Sequence, residues 1–223
     1  MRAMILAAGR GERMRPLTDH TPKPLLKVGN KPLIVWHLES LATAGFKEIV
    51  INHAHLGDQI EQALGNGQQW GMSIVYSAEK VALETAGGIA NALHLLGEEP
   101  FLVVNGDIFT EIDFAKLKLQ ISKLAHLVMI DNPPQHPNGD FAYSDGKLHI
   151  DGTNKLTFSG VGIYHPDLFA EIVPGQAAKL APLLKKAIVN DCLTAEHYPG
   201  EWRDIGTPER LQELDAKLLK QRN

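Results

Sequence analysis

A loop near the start of the chain has the side chains and the backbone to bind phosphate. It follows a short apolar run, Met4 to Leu6, that is typical of a strand buried on both faces. Gly9 and Gly11 leave the backbone uncovered, so main-chain N–H groups can approach a ligand closely. Three arginines follow within six residues: Arg10, Arg13 and Arg15. Backbone donors and guanidinium groups together bind phosphate oxygens, so this segment predicts a phosphate-binding loop.

The spacing argues against two better-known phosphate-binding loops. The chain has no G-x-x-x-x-G-K-[ST] motif, which excludes a P-loop. A G-x-G-x-x-G motif that started at Gly9 would need its third glycine where Met14 stands, which disfavours a dinucleotide-binding fold. The alternative for this loop is a turn between a strand and a helix that uses glycine without binding a ligand.

Two aspartates occupy positions where α/β proteins bind ligands. Asp107 follows the apolar run 101–104 after Asn105 and Gly106, and Asp204 stands just before the last predicted helix. Mg²⁺ prefers hard oxygen ligands, commonly one or two carboxylates together with substrate phosphates. Both aspartates are therefore candidate magnesium ligands, and the alternative is that each is an ordinary turn residue.

Two motifs in this region resemble those of a known enzyme family. Residues 6–18 read Leu-Ala-Ala-Gly-x-Gly-x-Arg-x-x-Pro-Leu-Thr, and residues 23–28 read Lys-Pro-Leu-Leu-x-Val. Together they resemble the signature of the sugar-1-phosphate nucleotidyltransferases, and the similarity runs from Met1 to about Arg210. Members of that family join a nucleoside triphosphate to a sugar 1-phosphate and release pyrophosphate.

The resemblance implies roles for individual residues. Asp107 and Asp204 are expected to hold Mg²⁺ between them, Arg13 to stabilise the departing pyrophosphate and Lys23 to reach the α-phosphate. The catalytic set expected from the resemblance is Arg13, Lys23, Asp107 and Asp204. The residues expected to bind the nucleotide are Ala8, Gly9, Gly11, Glu12, Arg13, Lys23, Glu79, Thr85 and Gly88.

This reaction requires cations and positioning more than proton transfer. A sugar 1-phosphate has a second pKa of about 6, so its attacking oxygen is already an anion at neutral pH. The barrier arises from bringing two polyanions together and from the charge that spreads around the α-phosphorus. We therefore look for lysine, arginine and aspartate rather than for a histidine or a serine triad.

The base preference is predicted from Glu79, which ends a strand at a base-reading position of the family. An ionised carboxylate accepts hydrogen bonds and cannot donate them. Uracil, thymine and guanine offer a ring N–H there, whereas adenine and cytosine present an acceptor, so the prediction is U, T or G. Residues 83–88 depart from the family pattern, because Glu84 stands where glycine is common.

The acceptor segment departs most from the family. Residues 151–159 lack the Glu-Lys-Pro type of motif that contacts the sugar in many relatives. The loss of a sugar-facing glutamate suits a sugar that itself carries a carboxylate. Three features resemble those of the family members that use UTP and N-acetylmuramic acid 1-phosphate. They are the missing motif, the short chain and the Phe158-Ser159-Gly160 run. The sugar-contact candidates are Asn105, Gly139, Asp140 and Glu196, with Lys155 and Arg203 as candidate partners of a lactyl carboxylate.

Two other functions stay open at this point. One is a glucose- or mannose-1-phosphate uridylyl-, thymidylyl- or guanylyltransferase. The other is a catalytically silent protein that binds nucleotide-sugars in a regulatory role. Such a protein would be expected to lack part of the catalytic set, and all four residues are present.

Alternating strands and helices must position these residues. Strands are predicted at 4–6, 48–51, 73–76 and 101–104, and helices at 31–44, 58–64 and 85–96. This alternation predicts an α/β fold with three αβα layers, Rossmann-like, around a mixed, mostly parallel sheet. The resemblance implies the nucleotide-diphospho-sugar transferase type of that fold. Ligands then lie beyond the carboxyl ends of strands, so the loops after Leu6, Tyr76 and Val104 should line one pocket.

The second half of the chain has shorter strands. They are predicted at 127–130, 141–144, 148–150 and 161–164, with hairpin turns at Asn138-Gly139 and Asp145-Gly146. Helices follow at 179–190 and 208–219, the latter capped by Thr207. We expect one domain, 1–223, with a nucleotide-binding half (1–105), a sugar-phosphate-binding half (106–206) and a C-terminal helix (207–223).

Composition narrows the class of partner and the compartment. A net charge of −4 argues against general nucleic-acid binding, although local arginines suffice for a nucleotide. Cys192 is the single cysteine, which fits a reducing compartment. No apolar run reaches the roughly 18 residues of a membrane span, and the chain enters a strand at once without a signal peptide. These features predict a cytoplasmic protein without a membrane partner, and they leave the oligomeric state open.

Overall fold

The computed structural model describes residues 1–118 and 123–220, and it forms thirteen strands and six helices within those ranges. The strands are β1 (Ala3–Leu6), β2 (Lys27–Val28), β3 (Lys31–Pro32), β4 (Glu48–His53), β5 (Ser73–Ala78), β6 (Phe101–Asn105), β7 (Ile108–Thr110), β8 (Ala125–Ile130), β9 (Phe141–Ser144), β10 (Lys147–His149), β11 (Lys155–Tyr164), β12 (Leu193–His197) and β13 (Trp202–Asp204). The helices are α1 (Leu33–Thr43), α2 (Gly57–Leu64), α3 (Glu84–Leu96), α4 (Phe114–Leu117), α5 (Leu180–Val189) and α6 (Pro208–Lys220).

A mixed sheet of nine strands organises the described residues. Its main path runs β10-β9-β11-β6-β1-β4-β5, and β8 joins β11 to β12. The strands of the first half, β6, β1, β4 and β5, are all parallel to one another, and Ile5 lies opposite both Ile51 and Val104. In the second half β11 runs antiparallel to β6, β8 and β9. The prediction of a mixed, mostly parallel sheet is confirmed.

Helices cover both faces of this sheet, so it forms the middle of three layers. Met4 and Phe101 point into one core with α3 and α5, whereas Ile5 and Val104 point into the other with α1 and α2. Neighbours in β1 are thus buried on opposite faces, which is why this strand is apolar at consecutive positions. Burial of each such large side chain stabilises the fold by about 2 kcal/mol.

A third, smaller core attaches helix α6 to the N-terminal loop. Leu211, Leu214 and Leu218 of α6 pack with Met14 and Ile205. The first turn of α6 is capped as predicted, because Thr207 Oγ1 accepts a hydrogen bond from the backbone N–H of Arg210 at 3.4 Å. This packing holds the start of α6 beside the predicted phosphate-binding loop. The last three residues of the predicted helical segment 207–223 lie outside the described residues.

Several predicted elements differ in their bounds. The first helix begins at Leu33 rather than at 31, because Lys31 and Pro32 are extended and pair with Lys27 and Val28 as a short hairpin. The strand predicted at 161–164 is longer and begins at Lys155. It passes through a register shift between residues 158 and 162, where Gly160 has φ of +80°. A bulge of this kind obscures the alternation of side chains in the sequence.

The two predicted hairpin turns have different outcomes. Asp145 and Gly146, with φ of 49° and 78°, join the paired strands β9 and β10, which confirms that hairpin. Asn138 and Gly139 also form a turn, but the strands before and after it do not pair with each other. The hairpin prediction at Asn138-Gly139 is therefore wrong, because β11 lies between β8 and β9.

Within residues 1–118 and 123–220, no helix has the length and apolar character needed to cross a lipid bilayer.

A buried histidine connects helix α1 to the short strand β7. His37 Nε2 lies 2.8 Å from the carbonyl oxygen of Ile108. Because a carbonyl can only accept, Nε2 is the protonated nitrogen in this bond. Burial lowers the pKa of His37 to about 4, so the ring is neutral at pH 7. The bond fixes the strand that begins immediately after Asp107.

His37 should make the stability of the fold sensitive to acid. Its folded pKa of about 4 lies below the ordinary histidine value, so the unfolded state takes up a proton first as the pH falls. The stability due to neutral His37 is therefore complete above about pH 6.5 and declines toward pH 4, by about 3 kcal/mol in total. In urea unfolding at several pH values, the free energy of unfolding of H37Q should not show this decline toward acid pH, because glutamine can donate to Ile108 without titrating. H94Q, which changes an exposed histidine, is the matched control and should behave as the wild type. An unchanged acid dependence in H37Q would contradict the assignment.

Candidate active site

The loops that follow β1, β5 and β6 line one cavity of about 440 Å³, as predicted from the strand order. The cavity lies at the carboxyl ends of the parallel strands, where the crevice of an open α/β sheet is expected. Ten predicted site residues line it: Ala8, Gly9, Gly11, Glu12, Arg13, Lys23, Glu79, Thr85, Asn105 and Asp107. The chain thus brings the candidate nucleotide-binding residues together from four separate segments.

The N-terminal loop is shaped around Gly11. This residue has φ of +70°, and an added Cβ would lie 3.0 Å from Thr18 Cγ2. Thr18 Oγ1 donates to the Gly11 carbonyl at 2.9 Å, which closes the loop on itself. Of the three arginines, Arg13 lines the cavity, whereas Arg10 and Arg15 do not line it and form ion pairs with neighbouring acidic residues. Arg13 is therefore the guanidinium that this loop presents to a ligand.

Lys23 is held in the cavity wall by its proline frame. A short helical turn, Lys23–Leu25, follows the extended Pro22. The lysine side chain is 8% exposed, and its Nζ donates to Asp107 Oδ2 at 2.9 Å. A nearly buried ammonium group needs such a partner, because burial of an unpaired charge is costly. The pair joins two predicted catalytic residues that stand far apart in the sequence.

Pairing of β7 with β13 brings the two candidate magnesium ligands side by side. Asp204 lies opposite Ile108 in this antiparallel pair, and the N–H of Ile205 donates to the carbonyl oxygen of Asp107 at 3.0 Å. Asp204 Oδ2 accepts a hydrogen bond from Arg210 Nη1 at 2.5 Å. Asp204 itself is not among the residues that line the cavity, but Gly206 beside it is.

The donor set around these aspartates fits magnesium shared with a substrate. Both ligands are carboxylates, and the Asp107 side chain is 43% exposed at the cavity. No group of three or more histidine, cysteine, aspartate or glutamate side chains in the described ranges could hold a metal by itself. Two carboxylates with the remaining ligands from phosphates and water suit Mg²⁺. Asp107 and Asp204 could therefore hold the ion once a triphosphate is present.

A buried network that the sequence analysis missed connects the N-terminal loop to the predicted base-reading residue. Asn52 Oδ1 accepts from the N–H of Ala7 at 2.9 Å, and its Nδ2 donates to Glu79 Oε1 at 2.7 Å. The other oxygen of Glu79 accepts from the N–H of Leu83 at 2.9 Å. The sequence signal that could have identified Asn52 is a polar residue near the end of an otherwise apolar strand. Glu79 is thus anchored by the protein and retains lone pairs that face the cavity.

The start of helix α3 carries an unusual backbone at the cavity. Glu84, which stands where glycine is common in the family, has φ of 60°. This left-handed conformation costs a residue with a side chain about 1 kcal/mol, and the exposed Glu84 lines the cavity. Gly88 lies one turn further along α3 and does not itself line the cavity. An added Cβ there would lie 2.8 Å from both Asn52 Nδ2 and Glu79 Oε1, so Gly88 leaves room for the network.

The predicted sugar-contact residues are more dispersed. Asn105 lines the cavity and packs against Gly160, where an added Cβ would lie 2.4 Å from its Nδ2. Five others are not among the cavity-lining residues: Gly139, Asp140, Glu196, Lys155 and Arg203. Asp140 accepts hydrogen bonds from the N–H of Phe158 at 2.8 Å and from His136 at 3.0 Å. It therefore fastens its own loop to β11.

The sugar-contact candidates on the later strands have different neighbouring side chains. Glu196 Oε2 of β12 is 3.5 Å from Nε2 of the buried His126, and Arg203 Nε of β13 lies 2.7 Å from Glu201 Oε1. Lys155 stands at the start of β11, beside the β9 hairpin. The structure does not bring Lys155 and Arg203 into one cluster with the cavity, so their contact with a lactyl carboxylate stays a prediction.

Removal of the Asn52 side chain should weaken both the fold and nucleotide binding. N52L leaves the Ala7 N–H and one Glu79 oxygen without their partner, and each unsatisfied buried group costs about 1–3 kcal/mol. We expect urea unfolding to show a loss of about 2–4 kcal/mol and nucleotide titration to show weaker binding. N91L removes a longer amide contact, 3.3 Å to Ser77, on the neighbouring helix face and serves as the control. Equal losses in the two variants would contradict the role of Asn52.

Comparisons with known proteins agree with this geometry. The nucleotidyl transferase family model matches residues 2–221. The chain is 56% identical over 225 residues to the N-acetylmuramate alpha-1-phosphate uridylyltransferase of Neisseria meningitidis serogroup B, covering 97% of each chain. It is 34% identical over 235 residues to the protein of the same name from Caulobacter vibrioides, covering 98% of this chain and 97% of the relative.

The fold is also found among solved structures. A Bacillus anthracis structure in complex with a sucrose, described provisionally as a glucose-1-phosphate thymidylyltransferase, superposes with a TM-score of 0.86. It covers 98% of this chain and 96% of its own, at 23% sequence identity. This likeness confirms the predicted fold class. The family model and the two relatives confirm the resemblance inferred from the N-terminal motifs: the chain is an enzyme of the nucleotidyl transferase family.

Proposed function

We propose that this enzyme transfers uridylyl from UTP to N-acetylmuramic acid 1-phosphate, with Mg²⁺, and releases pyrophosphate. The observation that carries the proposal is that Arg13, Lys23 and Asp107 line one cavity, and that pairing of β13 with β7 holds Asp204 beside it. The 56% identity to a uridylyltransferase of that specificity supports the choice of substrates. The single cysteine supports a reducing compartment, and we assign the reaction to the cytoplasm.

The proposed reaction is one displacement at the α-phosphorus of UTP. An anionic oxygen of the sugar phosphate forms the new P–O bond, and the bond from the α-phosphorus to the bridging oxygen of the β-phosphate breaks. Pyrophosphate leaves with that electron pair. No proton has to move, since the second pKa of a phosphomonoester is about 6. The cationic side chains at the cavity stabilise the negative charge that develops on the phosphates in the transition state. Such electrostatic stabilisation is commonly the largest part of catalysis.

Each charged residue has a position suited to its role. The loop around Gly11 and Arg13 offers backbone and guanidinium donors to the β- and γ-phosphates. Lys23, held by its prolines, directs Nζ at the point where the α-phosphate would meet Asp107. Bound between Asp107 and Asp204, Mg²⁺ would neutralise triphosphate charge and align the reacting groups.

The choice of base and sugar depends on two further features. Glu79 is fixed by Asn52 and Leu83, so it offers an oriented carboxylate that accepts from the ring N–H of uracil. Residues 151–159 lack the motif with a sugar-facing glutamate, which favours an acceptor that carries its own carboxylate. Asn105 lies at the cavity beside Gly160 of β11 and is the sugar-contact candidate nearest to the phosphates.

A grid of substrates tests the proposal directly. Pyrophosphate release is measured for UTP, dTTP and GTP against the 1-phosphates of N-acetylmuramic acid, N-acetylglucosamine, glucose and mannose. We expect kcat/KM for UTP with N-acetylmuramic acid 1-phosphate to exceed every other pair by at least about tenfold, a difference of about 1.4 kcal/mol. A higher value for glucose or mannose 1-phosphate would overturn the acceptor, and turnover with no pair would overturn the enzyme assignment.

Lys23 should be needed for the chemical step more than for folding. K23M keeps the aliphatic stem but removes the cation, and we expect kcat to fall at least about 100-fold, a loss of about 3 kcal/mol of transition-state stabilisation. K27M changes an exposed lysine four residues away and should retain wild-type kcat. Urea unfolding of both variants checks that the fold is intact. A loss of kcat under about tenfold in K23M would show that Lys23 has no catalytic role.

A further inference from the structure

Each candidate magnesium ligand forms an ion pair with a cationic side chain of the protein. Lys23 Nζ lies 2.9 Å from Asp107 Oδ2, and Arg210 Nη1 lies 2.5 Å from Asp204 Oδ2. Arg210 had no role in the sequence analysis. Its pair with Asp204 is largely shielded, with the two side chains 27% and 22% exposed. A hydrogen-bonded ion pair of this kind is stronger than one on the open surface.

Three charged groups converge on the uncovered backbone of Gly206, a residue that lines the cavity. An added Cβ at Gly206 would lie 2.9 Å from Asp204 Oδ2, 3.1 Å from Arg13 Nη2 and 3.1 Å from Arg210 Nη1. The guanidinium groups of Arg13 and Arg210 therefore approach the same point from two elements. Asp204 is the acidic group at that point, and it offsets the repulsion between them.

The backbone of Arg210 is fixed where it can reach Asp204. Its N–H donates to Thr207 Oγ1 at 3.4 Å in the first turn of α6. Leu211 and Leu214 next to it are buried in the third core with Met14 of the N-terminal loop. The side chain thus projects from a rigid helix start toward Asp204.

We propose that Arg210 is a positioning residue that occupies the metal-binding side of Asp204 until a divalent cation and a nucleotide arrive together. This inference rests on the proposed function, since it assumes that Asp204 is a metal ligand. A cation that binds Oδ2 of Asp204 must displace Arg210, so metal binding at that oxygen of the free enzyme is weakened by the competition. The displaced guanidinium then lies beside Arg13 and the cavity, where triphosphate oxygens accept its hydrogen bonds.

The exchange couples metal binding to nucleotide binding. Without a nucleotide, the metal must break the Arg210–Asp204 pair with no new anion for Arg210. With the triphosphate present, Arg210 gains a new partner, so the metal binds more tightly. By linkage, the metal then raises the affinity for UTP by the same factor. The free enzyme would thereby avoid holding a tightly bound divalent cation that must reorganise when UTP enters.

Mn²⁺ titration followed by electron paramagnetic resonance tests this competition without turnover. R210M keeps much of the aliphatic stem and removes the guanidinium. We expect the Kd of Mn²⁺ for the nucleotide-free variant to fall at least about fivefold. The factor by which UTP tightens Mn²⁺ binding should decrease by a similar amount. K217M removes a cation of the same helix that pairs with Glu201 at 2.7 Å, and it should leave both quantities unchanged.

A double-mutant cycle separates the proposed exchange from a general change in charge. In the D204N background, R210M should no longer alter the Mn²⁺ affinity, because the pair is already broken. An equal gain in that background, or an unchanged or weaker affinity in R210M alone, would overturn the role of Arg210. These outcomes leave the proposed function standing if the wild type turns over its substrates. Failure of the wild type to bind Mn²⁺ even with UTP would instead overturn the metal assignment and this inference with it.

Discussion

The juxtaposition of Asp107 and Asp204 is the constraint on which the rest of the site depends. Like charges repel, so carboxylates that stand on adjacent paired segments are stabilised by nearby cations. This chain supplies Lys23 to one and Arg210 to the other. In the proposed reaction, the same two carboxylates would instead attract a magnesium ion bound to the triphosphate.

The packing of the fold is arranged to maintain that juxtaposition. β7 and β13 are only three residues long each, and such a short pair is not stable alone. His37 of α1 holds β7 from one side through Ile108, and the third core holds β13 through Ile205 and α6. The two aspartates therefore stand on or beside elements whose stability comes from helices on two sides of the strand pair.

Local signals account for most of what the sequence could predict. The apolar strand with its glycines at residues 4–11 and the aspartate after β6 correctly indicated where the cavity lies, because chain neighbours alone create those features; Asp204, the other predicted aspartate, does not line it. The bulged strand β11, the short pair β7–β13 and the contacts of Asn52 and Arg210 were not predicted. Asn52 contacts Ala7 and Glu79 of distant segments, whereas Arg210 contacts Asp204, a near neighbour whose position depends on the pairing of β13 with β7.

The two predicted halves differ in how their candidate residues are placed. In the half predicted to bind the nucleotide, Asn52 and Glu79 bond to each other, and the residues that line the cavity follow neighbouring parallel strands. In the half predicted to bind the sugar phosphate, the candidates stand on β11, β12, β13 and a turn, and most of them lie outside the cavity. The proposed sugar contacts would therefore depend on the relative placement of several strands, both parallel and antiparallel. A change in one loop can alter that placement without disturbing the phosphate chemistry, which explains why one N-terminal motif is compatible with many sugars.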